Sequence, residues 1–169
     1  FTVLTIQLTE KQRVAAIALS GTPGGDGGAM IFDMHDAALQ DRSGNFMEEA
    51  FSLVVNEVPD TVLPRIISSI IDYTTGLLVI STSETIDITP SSLVKLEKFS
   101  INNVGSGNAL KILLDGASIE SIDDTEITLT LTEANRVLSL YLSGTPGGDG
   151  EALALEVLAN AYQDIAGNK

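Results

Sequence analysis

Apolar and polar residues alternate strictly in Ile127-Thr128-Leu129-Thr130-Leu131-Thr132, which predicts a strand with one face buried and threonines 128, 130 and 132 turned outward. β-rich runs at 65–71 and 77–83 flank the turn-like Asp72-Tyr73-Thr74-Thr75-Gly76 and predict a hairpin. Pro64 suits the first position of that hairpin, where a missing N–H matters least. Residues 84–108 are more polar and read as irregular, with Pro90 and a Gly105-Ser106-Gly107-Asn108 turn. A short strand at 110–114 is stopped by Asp115-Gly116, and further strands are expected at 152–157 and 29–34.

Behind the alternating strand the period changes. Val137, Leu140 and Tyr141 fall at i, i+3 and i+4, and Val14, Ile17 and Ala18 repeat that spacing. Thr132 with Asn135, and Thr9 with Gln12, offer N-terminal caps, while Gly144 and Gly21 sit where a helix-ending glycine belongs. A short helix crossing from one sheet to another is expected in each place. A plain strand competes, because residues 137–142 also alternate in part.

These paired features belong to a duplication. Thr5-Ile6-Gln7-Leu8-Thr9-Glu10 returns as Thr128-Leu129-Thr130-Leu131-Thr132-Glu133, and Leu19-Ser20-Gly21-Thr22-Pro23-Gly24-Gly25-Asp26-Gly27 returns unchanged at 142–150. Gln40-Asp41 and Gly44-Asn45 return as Gln163-Asp164 and Gly167-Asn168, always 123 positions on. A gapless alignment of 1–46 on 124–169 has 22 identities, so the chain is read as tandem repeats. Residues 1–58 are taken as the C-terminal part of one repeat plus a linker, and 59–169 as one complete repeat. Three elements bury a two-sheet core poorly, so the first repeat is expected to be truncated, with strand donation from another chain as the competing explanation.

Many short strands with regular turns argue for an all-β fold of sandwich type. A hydrophobic content of 44% supports packed cores rather than disorder. The formal net charge of −14 argues against nucleic acid and anionic membrane surfaces as partners. No apolar run reaches the length of a membrane span, so membrane insertion is not expected. Phe1 in place of an initiator Met suggests a mature or excised fragment. Cysteine is absent, which removes disulfides, thiol catalysis and thiolate metal sites.

The order of Pro64-Arg65-Ile66, Thr75-Gly76-Leu77-Leu78-Val79-Ile80, Ser83-Glu84, 113–116, Leu129-Thr130-Leu131-Thr132-Glu133-Ala134-Asn135-Arg136 and Gln163-Asp164-Ile165-Ala166-Gly167-Asn168 resembles the immunoglobulin-like repeats of large secreted and cell-surface proteins. Adhesins and the repeats of cyanobacterial swimming-associated surface proteins belong to that group. The resemblance implies an Ig-like β-sandwich with a short helix between late strands, an extracellular or cell-surface setting, and a spacer or adhesive role. Neighbouring repeats, homotypic fibre subunits or surface glycans would then be the partners.

Catalytic chemistry finds little purchase. The single histidine, His35, has Leu158 as its repeat counterpart, so it serves no function common to the repeats. Without Cys or a second His, neither a nucleophilic triad nor a histidine-rich zinc site can be assembled. The Gly-Thr-Pro-Gly-Gly-Asp-Gly loop lacks the lysine of a phosphate-binding loop and reads first as a connection needing positive φ. Calcium is the one cofactor to consider, with Asp26 and Asp149 in that loop and Asp41 and Asp164 in Asp-x-x-Gly-Asn as candidate ligands. For the second pair, a turn in which Asp accepts backbone N–H bonds is the simpler reading. The expectation is a non-enzymatic structural module; the alternatives are a glycan- or protein-binding module, or an accessory domain of a secreted polysaccharide-degrading enzyme.

Overall fold

The computed structural model describes residues 3–103 and 110–169, so the expected turn at 105–108 lies outside the described residues. The chain divides into two compact units, Phe1–Thr61 and Val62–Lys169. All of its sheets are antiparallel.

Unit 2 holds two sheets and one core. β3 (Ile66–Asp72) and β4 (Leu77–Ile86) form the expected hairpin. Asp72 accepts from Thr74 N and Thr75 Oγ1, both at 2.8 Å, and Gly76 closes the turn at φ 76°. β7 (Ser118–Ile119) and β8 (Asp124–Thr130) complete a four-stranded sheet in the order β3-β4-β8-β7. β5 (Phe99–Asn103), β6 (Lys111–Leu113) and β9 (Leu153–Val157) make a three-stranded sheet, β6-β5-β9. Leu78, Ile80, Ile127 and Leu129 from the first sheet meet Phe99, Ile101 and Ile112 from the second in one buried cluster.

The stretch read as irregular, 84–108, therefore contains the central strand of a sheet. β5 has only Phe99 and Ile101 as inward apolar residues, with Ser100 between them and Asn102-Asn103 behind. Pairing on both sides, Ile101 with Ile112 and with Leu155, makes it a strand despite weak local propensity.

α2 (Glu133–Tyr141) leads from β8 in one sheet to β9 in the other, and helix prevails over the competing strand. Thr132 Oγ1 accepts from Asn135 N at 3.1 Å, so Thr132 is a helix cap and not the third member of an outward threonine row. The helix ends on Leu142, with Ser143 Oγ bonded back to Leu140 O at 2.8 Å. Gly144, like Gly21, is not at positive φ, which corrects the expected glycine cap.

Unit 1 repeats only part of this. α1 (Glu10–Ala18) carries the full capping box: Gln12 N donates to Thr9 Oγ1 and Thr9 N to Gln12 Oε1. β1 (Ile31–Met34) follows as expected. The segment taken as linker instead carries β2 (Ala50–Val54), paired antiparallel to β1. Ser52, at φ 57°, breaks its alternation, and its N–H goes to Asp33 Oδ1 at 2.7 Å.

Residues 3–9, the first-copy counterparts of 126–132 and so of most of β8, do not form a strand. β8 is paired with β4 on one side and β7 on the other, whereas no strand pairs with residues 3–9 among the described residues. A lone extended segment has no ladder to satisfy its backbone. The consequence shows in exposure. Leu129 and Leu131 are 0% and 6% exposed, while their counterparts Ile6 and Leu8 are 61% and 46% exposed. Ser20 is the one fully buried residue described in unit 1.

Candidate functional site

The duplicated loops carry the four aspartates picked out as calcium candidates, and both loops are built twice with the same bonds. In Gly-Thr-Pro-Gly-Gly-Asp-Gly the preceding serine anchors the loop. Ser143 Oγ lies 2.7 Å from Thr145 Oγ1 and accepts from Thr145 N at 3.2 Å; Ser20 does the same to Thr22, at 2.7 and 3.1 Å. Gly150 N donates to Ser143 O and Gly27 N to Ser20 O, closing the loop on its own base. Asp149 Oδ1 then accepts from Glu151 N at 2.9 Å and Asp26 Oδ1 from Gly28 N at 2.8 Å, each forming an Asx turn.

The Asp-x-x-Gly-Asn turns are likewise superposable in their bonding. Asp41 Oδ1 accepts from Asn45 N at 2.9 Å and Oδ2 from Asn45 Nδ2 at 2.9 Å; Asp164 accepts the same two bonds from Asn168, both at 2.8 Å. In return Asp41 N and Asp164 N donate to the carbonyls of Asn45 and Asn168. The bonds from Asn45, side chain first, hold the Asp41 carboxyl below its ordinary pKa. Asp164 is buried and also bridges to Ile86 at the end of β4, so this turn fastens the chain's last residues to the four-stranded sheet.

Calcium takes six to eight oxygen ligands. Asp26 accepts from Gly28 N and Asp41 from Ser43 N and Asn45, and among the described residues neither sits in a group of three or more Asp, Glu or His ligands. Asp164 has one buried neighbour of like charge, Glu84, with carboxylate oxygens within 4.8 Å. Among the described residues Asp149, like Asp26 and Asp41, sits in no such group, but it has a buried amide neighbour. Asn103 Nδ2 donates to Asp149 Oδ2 at 2.9 Å, while Asn103 Oδ1 and Glu151 Oε2 are buried with no hydrogen-bond partner. Orphaned buried acceptors are uncommon in folded chains and suit a cation. Glu151 corresponds to Gly28 in the first copy, so its carboxylate belongs to unit 2 alone. Neither Asn103 nor Glu151 stands out along the chain, since only pairing brings Asn103 to Asp149.

A second polar cluster lies on the outer face of the three-stranded sheet. Glu156 Oε2 accepts from Lys111 Nζ at 2.8 Å, Asn102 Nδ2 at 3.0 Å and Ser100 Oγ at 3.2 Å. The hydrogen bond from Lys111, then that from Asn102, hold its carboxyl down at about 2. A depressed pKa contributes stability that is present above the ordinary value of 4.5 and lost as pH falls through about 2. A carboxyl-carbon NMR titration is expected to show Glu156 titrating near 2, and Lys111→Met to move it back toward 4.5. An unmoved midpoint in the variant would refute the assignment.

His35 is exposed and meets Phe51 edge-on, with ring centroids 5.6 Å apart, inside the β1–β2 hairpin region. Among the described residues no helix is long and apolar enough to cross a membrane. Set against known proteins, the chain matches no family model, no curated sequence and no solved structure.

Proposed function

We propose that the chain is part of a tandem array of immunoglobulin-like β-sandwiches, a non-enzymatic spacer and subunit-contact module of a long extracellular or cell-surface fibre or adhesin. One observation carries this reading. What the two copies share, bond for bond, is a pair of self-satisfied loops that shape a scaffold, while the lone histidine and the Glu156 cluster are not duplicated: Glu156 corresponds to Asp33. Repetition of scaffold without repetition of reactive groups is the pattern of a module valued for reach and stiffness. The acidic balance of 23 Asp and Glu against 9 Lys and Arg keeps such a polymer soluble.

The test is mechanical. Several 123-residue repeats joined end to end and stretched by atomic-force spectroscopy should unfold in steps of roughly 40 nm, from about 3.4 Å per released residue. Featureless extension would sink the spacer reading, and failure of antibodies to label intact cells would sink the surface setting. The same record in calcium and in chelator addresses the metal. Calcium enters this reading through Asp149 and Glu151, whose orphaned oxygen invites a cation. A higher unfolding force in calcium that Glu151→Gln abolishes supports it, and equal forces remove calcium from the function.

A further inference from the structure

The two copies of one strand use opposite edges. In unit 2, Leu158 N donates to Lys98 O at 3.1 Å, continuing the β5–β9 ladder. Alternation then turns the backbone groups of Ala154, Glu156 and Leu158 toward β5, and those of Leu153, Leu155 and Val157 the other way. Among the described residues β9 is the last strand of its sheet, so that other way is an open edge.

In unit 1 the counterparts of Leu153, Leu155 and Val157 are Met30, Phe32 and Met34. Met30 O accepts from Val55 N at 3.1 Å, which sets this second group of residues facing β2. β2 therefore lies on the edge of β1 that corresponds to the open edge of β9, and the two neighbours, β5 and β2, do not compete for one place. A strand flanked on both sides is what the repeat would contain if both copies were combined.

We infer that the open edge of β9 seats a strand of the sequence 47–58, joined behind Lys169 as Met47 is joined behind Phe46. Lys169 and Phe46 occupy the same repeat position, so the register needs no adjustment. The space is shaped for it. A hollow of about 90 Å³ lined by Ile71, Leu78, Ile101, Leu153 and Leu155 runs along this edge. Leu53 pairs with Phe32 in unit 1 and shares its face, so the corresponding leucine would lie beside Leu155, over that hollow. A second, larger hollow lies between residues 157–162 with Lys169 on one side and Leu63, Pro64 and Ile66 on the other. Its unit 1 equivalent is where Met47 lies, bonded to Ala37 and Leu39, the counterparts of Asn160 and Tyr162. A second copy of the chain is a poorer donor, because its own 47–58 segment already lies on β1.

This inference rests on the repeat reading but on neither the extracellular setting nor the mechanical role, and its experiment separates them. The full chain is extended by a second copy of residues 47–61 after Lys169, and compared with an extension of scrambled sequence. Amide exchange of Leu155 and Val157, whose N–H groups face the open edge, is expected to slow by about tenfold to hundredfold with the native extension only. The unfolding midpoint of unit 2 should rise with it, and light scattering should show a monomer. Equal exchange in the two extended chains would overturn the inference. So would dimers that acquire the protection only on association, which would assign the edge to exchange between copies.

Discussion

Leu142→Ala is expected to destabilise unit 2 by about 2–4 kcal/mol, while Leu19→Ala, the same residue at the same repeat position, changes unit 1 by about 0.5 kcal/mol or less. The two leucines stand in identical sequence, each followed by Ser-Gly-Thr-Pro-Gly-Gly-Asp-Gly, and each ends a capped nine-residue helix. What differs is cover. Leu142 is 5% exposed inside the core that both sheets of unit 2 fill, whereas Leu19 is 63% exposed. Removing three carbons from a packed interior loses their transfer free energy and leaves a cavity; removing them from solvent does neither. All three tyrosines, Tyr73, Tyr141 and Tyr162, lie in unit 2 and tryptophan is absent, so tyrosine fluorescence in urea follows unit 2 alone. Exchange of the α1 amides follows the other variant. Equal losses from the two substitutions would mean that unit 1 has a buried core after all.

That comparison also marks where reading along the chain succeeds and where it stops. Caps and turns are local, and they were legible: Thr9 with Gln12, Thr132 with Asn135, and Asp41 and Asp164 closing on the asparagine four residues on. The β3–β4 hairpin and β8 were legible because apolar runs and alternation are strong there. β5 was not, because two apolar residues among Phe99-Ser100-Ile101-Asn102-Asn103 make no pattern until β6 and β9 flank them. β2 was hidden by the irregularity at Ser52 and by having no second copy for comparison, since its counterpart would fall beyond Lys169. Residues 3–9 show the converse: the right pattern, and no strand, for want of a pairing neighbour. Of the candidate site, Asp149 was legible through its duplicated loop, while Asn103 reaches it from 46 residues away on β5, a contact that no spacing announces.

The duplicated glycine loop makes the second large prediction, and it tests why Gly-Gly is kept. At Gly148 a Cβ would lie 1.9 Å from Ser143 O and 2.6 Å from Leu140 O; at Gly25 the matching distances are 2.1 Å to Ser20 O and 2.6 Å to Ile17 O. Both obstacles are main-chain carbonyls, which cannot swing aside as a flexible side chain would. They are also engaged, Ser143 O with Gly150 N and Leu140 O with Ser143 Oγ, so displacing them breaks the bonds that hold the loop. Gly148→Ala is therefore expected to cost about 3 kcal/mol or more, in the range reserved for backbone overlap. Gly150 provides the contrast. Its φ is 91°, but a Cβ there meets nothing within 4 Å, so Gly150→Ala should cost only the conformational strain of about 1–2 kcal/mol. Urea unfolding of the two variants, followed by tyrosine fluorescence, ranks them directly. If Gly148→Ala proved as mild as Gly150→Ala, close packing of the loop on its helix end would not be the reason for the glycine pair. A ligand drawn to the exposed backbone would then become the better explanation for a sequence repeated without change.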